Sequence, residues 1–265
     1  LKAKKSFGQH FLINESAAEK IVNSLQIDNK NQRVLEIGPG KGVLTKYLLK
    51  KDIDFRVVEA DADMVDYLHR EYKELEDKII FLDFLKLNLQ VVFDGHPFLL
   101  IGNYPYNISS QIIFRMLKYR DLIPQMVGMF QKEVADRIIA PHGSKTYGVL
   151  SVLTQAYYTG KMVMKISPGS FSPPPKVNSA VIKLERKENY ELPCDERLFR
   201  RVVKLTFGQR RKMLRNTVKT LVQNPAFLED DFLKNRPEQL SLEQFILLTT
   251  LLEEQIQEQK RKEEE

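Results

Sequence analysis

The segment VLEIGPGKGVLTKYL (residues 34–48) narrows the possible folds more than any other part of this chain. Residues 34–37 read as a strand. Gly38, Gly40 and Gly42 follow at alternate positions, and the run from Val43 to Lys50 reads as a helix. A glycine loop between a strand and a helix lets backbone N–H groups approach a ligand at the helix N-terminus. The rest of the first half repeats the rhythm. Phe55 to Val58, Ile79 to Leu82, Phe98 to Ile101 and QMVGMF (125–130) are strand-like. Helical patterns lie around them at Asn14 to Leu25, Ala62 to Tyr72 and Gln111 to Leu117, and Ser16 and Glu19 have the spacing of a capping box in the first of these. Strands alternating with helices of this length imply βαβ units and a parallel sheet.

After Tyr147 the pattern changes. YGVLSVLTQAYY reads as helix, and KMVMKI and VNSAVIKLE read as a late antiparallel pair joined through Pro173-Pro174-Pro175. KENYELPCDE (187–196) is polar, contains a proline and suits a linker. Beyond it, Arg197 to Leu221, a piece near Phe227 and Leu242 to Gln257 are helical, and the terminal QKRKEEE reads as frayed. The expected architecture is an α/β domain over residues 1–187 and a small all-helical domain over 188–265.

Composition excludes several classes. With 43% hydrophobic and 29% charged residues, the chain has the balance of a soluble globular protein. No run approaches the ~18 apolar residues of a membrane span, and the first residues contain no apolar leader, so nothing points to secretion. The single cysteine, Cys194, fits a reducing cytoplasm. The histidines at 10, 69, 96 and 142 are scattered and no Cys-x-x-Cys occurs, so no metal site is expected. Net charge is +6, but its distribution says more: Arg197 to Arg215 holds eight Lys or Arg and no acid. Such segregation suggests a polyanionic partner.

Three ligands compete for the glycine loop. A phosphate-binding loop needs Ser or Thr after its Lys, and Lys41 is followed by Gly42. A dinucleotide fingerprint needs Gly or Ala where Val43 stands. S-adenosylmethionine has no pyrophosphate to cradle and remains. Glu59, within VVEAD at the end of the next strand, is spaced to accept from both ribose hydroxyls, and Asp83, ending IIFLD, is offered to the cofactor adenine. Ligands of open α/β sheets bind at this carboxyl edge.

The next strand brings Asn103-Tyr104-Pro105-Tyr106 to the same edge. The exocyclic amine of a base is a poor nucleophile because its lone pair is delocalised into the ring. Accepting hydrogen bonds from its N–H groups draws the nitrogen towards tetrahedral geometry. Asn103 offers a carboxamide oxygen, and a backbone carbonyl before or at Pro105 offers another. Proline fixes the turn without a competing N–H, and Tyr106 offers a face for an unstacked base.

These segments together resemble the ribosomal RNA adenine dimethyltransferases, most closely the KsgA-like small-subunit group. The resemblance runs through FGQHFL (7–12), EIGPGKGVLT (36–45), VVEAD (57–61), GNYPYNIS (102–109), FSPPPKVNSAVI (171–182) and FGQRRKMLRN (207–216). It implies a Rossmann-like class I S-adenosylmethionine-dependent methyltransferase sheet. His10 and Leu12 would line the cofactor pocket, with Gly38 and Gly40 at its methionine end, Glu59 on the ribose and Asp83 on the adenine. Asn103 would touch both cofactor and target amine, and Tyr106 and Phe171 would sandwich the flipped base. Arg210, Arg211, Lys212 and Arg215 would grip rRNA phosphates, with Lys4, Lys5 and Lys176 in support. The resemblance also implies dimethylation of two adjacent adenines in the 3′-terminal hairpin loop of small-subunit (16S) rRNA during ribosome biogenesis; a cytoplasmic monomer is expected, since no long apolar surface helix suggests a dimer seam. The family usually carries Leu or Ile where Tyr104 stands, and often Asn where His10 stands. A large-subunit (23S) adenine methyltransferase of the macrolide-resistance type shares the motifs of the first domain. An assembly factor acting mainly by binding is a third reading. FGQRRKMLRN favours the small-subunit group.

Overall fold

The computed structural model describes Lys4 and residues 9–264, so Lys5 lies outside the described residues. The strands are β1 (Phe11–Leu12), β2 (Gln32–Ile37), β3 (Ile53–Glu59), β4 (Ile79–Phe81), β5 (Leu99–Asn103), β6 (Gln125–Gln131), β7 (Tyr158–Ile166), β8 (Phe171–Ser172) and β9 (Ser179–Arg186). Seven of them form one sheet in the order β4-β3-β2-β5-β6-β9-β7, parallel from β4 to β6 and antiparallel across β9 and β7. This is the α/β sheet that the alternating pattern predicts. β1 and β8 make a separate antiparallel pair, Phe11 opposite Ser172 and Leu12 opposite Phe171.

The centre of the sheet is buried on both faces, so β5 and β6 read as near-continuous apolar runs. One face is covered by helix Glu15–Ser24. Its Ala17, Ala18, Ile21 and Val22 pack with Val34, Val57, Leu99, Ile101, Val127 and Val181. The cap of that helix is Asn14, whose side chain accepts the Ala17 N–H at 3.0 Å, rather than Ser16 of the expected capping box. Asn holds this role because its oxygen reaches the third N–H of the first turn, which has no intrahelical partner.

The chain divides into two compact units. One runs to Asp136 and resumes over Tyr158–Lys187; the other joins Arg137–Tyr157 to Glu188–Glu265. The segment 137–157, expected in the first domain, thus belongs to the helical unit. Its helix Val149–Gln155 buries Val152, Leu153 and Thr154, and Tyr147 meets Phe207 edge-on at 5.9 Å. Within this unit the basic stretch is not one helix. Helix Glu196–Gly208 ends at a glycine, residues 209–213 form a turn, and a short helix follows over Leu214–Val218. Glycine weakens a helix and favours its end, so the break has a local cause. The terminal helix, by contrast, continues to Glu264, with Lys262 paired to Glu258 at 2.7 Å in its last turns. No described helix is long and apolar enough to cross a membrane.

The Glu15–Ser24 helix covers the sheet's central strands, and its Ile21 is fully buried against them. Ile21→Ala is expected to cost about 2–5 kcal/mol of unfolding free energy, read from urea titration by circular dichroism.

Candidate active site

β2, β3, β4 and β5 run parallel, so their C-terminal ends share one edge. A cavity of about 560 Å³ opens there, walled by the 36–44 loop, Val58 to Ala60, Phe81 to Phe84, Asn103 to Ile108 and Gln9 to Leu12. Every candidate cofactor residue lines it: His10, Leu12, Gly38, Gly40, Glu59, Asp83 and Asn103. Gly38, Gly40 and Gly42 adopt positive φ (60°, 54° and 79°), which the loop needs in order to turn from strand to helix. A side chain at Gly40 would also press on the Phe11 ring, 3.1 Å from its added carbon.

Glu59, at the end of β3, is buried. Its Oε1 accepts the N–H groups of Ala60 and Asp61, both at 2.9 Å, and its Oε2 accepts that of Gly40 at 3.3 Å. Burial raises its carboxyl pKa, opposed by these backbone donors. Glu36, inside β2, is 1% exposed and accepts the Thr45 hydroxyl at 2.7 Å. Desolvation, only partly offset by that hydroxyl, pushes it to about 8, with the neighbouring Glu59 adding to the rise. Sequence reasoning missed Glu36; the signal was an acid set in an otherwise apolar strand, VLEIG. Two carboxyls whose partners are all neutral face one cavity, which suits a ligand bringing positive charge and hydroxyl donors. S-adenosylmethionine, with a sulfonium, an ammonium and a ribose, meets that description. Asp83 uses Oδ1 to accept the Leu85 N–H at 2.9 Å. Beside it Phe81, 59% exposed, adds an aromatic face that the motifs did not single out.

Asn103 ends β5 and donates its Nδ2 to the His10 carbonyl at 3.0 Å, which orients the amide. Pro105 and Tyr106 also line the cavity. The Tyr106 ring stacks on His10, with centroids 5.2 Å apart, and its hydroxyl shares a short hydrogen bond with Ser179. His10 is held in turn by its Nδ1, 3.0 Å from the Pro173 carbonyl. Phe171, the expected second face for the base, is not on the cavity wall. It is 3% exposed and packs in the core with Ile166 and Val181, because pairing of β1 with β8 draws it inward. The Tyr104 side chain is also buried, at 1% exposure, so of this residue only the backbone is a candidate for contact with a substrate.

The candidate RNA contacts scatter. Lys4 bridges Asp61 (2.6 Å) and Asp63 (2.7 Å), a local use of its charge that sequence could not show. Lys176 is exposed beside the proline loop. Arg210 donates to the carbonyls of Tyr147 (2.8 Å) and Ser144 (3.2 Å), and Arg215 pairs with Glu229 at 3.3 Å. Arg211 and Lys212 are exposed in the turn after Gly208. Among the described residues no cluster of three or more His, Cys, Asp or Glu could hold a metal ion.

Comparison with known proteins agrees with this geometry. Residues 1–252 match the family model described as ribosomal RNA adenine dimethylase. The ribosomal RNA small subunit methyltransferase A of Flavobacterium johnsoniae is 55% identical over 253 residues, covering 96% of this chain and 97% of that protein. Its namesake from Bacteroides thetaiotaomicron is 54% identical, covering 96% and 95%. Among solved structures, a dimethyladenosine transferase from Plasmodium falciparum superposes with a TM-score of 0.78 at 25% identity, covering 93% of this chain and 98% of that one. The 23S rRNA methyltransferase ErmE shares the fold, with a TM-score of 0.64 at 22% identity over 91% of this chain and 99% of that one.

The charge state of Glu36 is open to measurement. Its folded pKa, about 8, lies above the ordinary carboxylate range, so the folded chain holds a proton that the unfolded chain releases. Stability therefore falls as pH rises from about 4.5 to about 8, by at most roughly 1.4 kcal/mol per pH unit from this group. Glu36→Gln keeps an acceptor for Thr45 and removes the titration. Its melting temperature should exceed that of the wild type by a margin that widens across this window; a constant margin would mean that Glu36 titrates normally.

Proposed function

The chain belongs to the ribosomal RNA adenine dimethylase family, and from that premise we propose that it dimethylates N6 of two adjacent adenines in the 3′-terminal hairpin loop of small-subunit rRNA. The observation that carries this reading is the meeting of Asn103, its amide anchored on His10, with Glu59 and Asp83 around one cavity. S-adenosylmethionine supplies an electrophilic methyl group. Glu59 would hold its ribose, Asp83 its adenine, and the loop at Gly38 and Gly40 its methionine end, with Leu12 and His10 closing the wall.

The target amine would donate to the Asn103 carboxamide oxygen and to a backbone carbonyl. The Pro105 carbonyl already accepts the Ile108 N–H at 3.2 Å, which leaves that of Tyr104 for the amine. Tyr106 would be the stacking platform, worth about 1–3 kcal/mol. Because Phe171 is buried and off the cavity wall, the base would rest on the Tyr106 face without it. Positioning carries the rate, and no side chain needs a tuned pKa to act as base. Loop adenines suit such a site because little pairing is lost on extrusion. For grip on phosphates, Arg211 and Lys212 are the strongest candidates, while Arg210 and Arg215 help shape the turn that presents them. We assign the protein to the cytoplasm and to a monomeric state, the latter checked by light scattering.

The decisive experiment supplies labelled S-adenosylmethionine to unmethylated small and large subunits side by side. Label should enter the small subunit on two neighbouring adenines, two methyl groups on each; label in the large subunit instead would overturn the substrate assignment. Asn103→Ala should lower turnover by about 100-fold or more while binding to the small subunit stays near the wild-type level. Arg211→Ala with Lys212→Ala should weaken binding and reduce the slope of log affinity against log salt by about 2.

A further inference from the structure

Gly102 of β5 and Gly128 of β6 are direct neighbours across the parallel ladder. Neither has a side chain, so together they leave a bare floor two strands wide on one face of the sheet. Tyr104 lies two positions after Gly102 and so returns to that face, while Asn103 between them points to the other. The Tyr104 ring fills the floor. A carbon added to Gly128 would lie 2.1 Å from Cε2, 2.9 Å from Cδ2 and 2.9 Å from Cζ of Tyr104, and these are its three nearest atoms. A carbon added to Gly102 would meet the same ring at 2.7 Å and the Ile37 carbonyl at 2.6 Å. Phe130 closes the ring edge-on at 5.0 Å, and the hydroxyl reaches the Val127 carbonyl at 3.4 Å.

We propose that Tyr104 is a positioning residue whose ring, locked over Gly128 and Gly102, sets where the Asn103 amide and the Tyr104 carbonyl stand at the cavity. It sits between two residues of the cavity wall, Asn103 and Pro105, at the point where β5 leaves the sheet. A ring wedged flat against backbone has no room to slide, so the chain path on either side of it is fixed. The inference rests on the reading that those two acceptors contact the target amine, and deepens it: the reactive geometry is set on the far side of the sheet from the substrate.

Gly128 supplies the cleaner test, because the three atoms nearest to an added methyl there all belong to Tyr104, whereas at Gly102 the nearest is the Ile37 carbonyl. Gly128→Ala should push the ring aside, lowering kcat by roughly 10–100-fold and weakening S-adenosylmethionine binding by calorimetry, with KM for the small subunit little changed. Adding Tyr104→Leu makes room for the methyl and should recover much of both losses. A purely structural role would lower the melting temperature of Gly128→Ala while leaving kcat per folded molecule and cofactor affinity unchanged, and would overturn the proposal. So would a double variant no better than Gly128→Ala. If Gly128→Ala is insoluble, the double variant should still fold and match Tyr104→Leu alone; failure to fold would reject the lock. A wild-type protein that methylates no ribosomal subunit would defeat the functional reading, but the cofactor-binding comparison would still decide whether the lock exists.

Discussion

The register of three parallel strands underlies every feature of the site. Ile37 stands opposite Val58 on one side and Gly102 on the other. One residue beyond that row, each strand delivers a functional group: Gly38 from β2, Glu59 from β3 and Asn103 from β5. Parallel pairing alone can do this, since antiparallel neighbours would send alternate groups to opposite edges. A slip of one residue would also turn the apolar faces of the strands outward, and the burial of Leu99, Leu100 and Ile101 holds the register against it. Hydrophobic burial thus does the aligning, and the polar groups arrive as a consequence.

What the sequence made legible follows from this. Short apolar runs between helical patterns disclosed the sheet, and acids at successive strand ends disclosed the cavity, because both are written locally. Features requiring contact between distant segments stayed hidden. Nothing near Phe171 announces that a two-residue ladder with Phe11 and Leu12 will bury it. Nothing near Lys4 announces Asp61, 57 positions away. The break after Gly208 is a different case, since a glycine within a basic run was visible and its cost to a helix is known. The eight cations outweighed it as a signal, although charge says little about where a helix ends.

The cavity is also asymmetric in its electrostatics. Its wall carries Glu36 and Glu59, buried and served by neutral donors, beside the exposed Lys41. Lys41 lies over the Phe11 ring at 5.0 Å, and Lys46 pairs with Glu15 at 2.5 Å. Arg211 and Lys212, both exposed, belong to the other unit. One unit therefore keeps buried carboxyls at its cavity, and the other carries the exposed cations of the basic turn.

The helical unit is discontinuous in sequence, and Arg210 ties its two parts through the carbonyls of Ser144 and Tyr147. No single cut in the chain can release it whole. A fragment beginning at Glu188 would carry the basic turn but lack the helix Val149–Gln155 and the carbonyls that hold Arg210. Exchange of this unit between relatives by one crossover would likewise join a basic turn to a foreign seat. The helical unit therefore has to be engineered as two segments altered together.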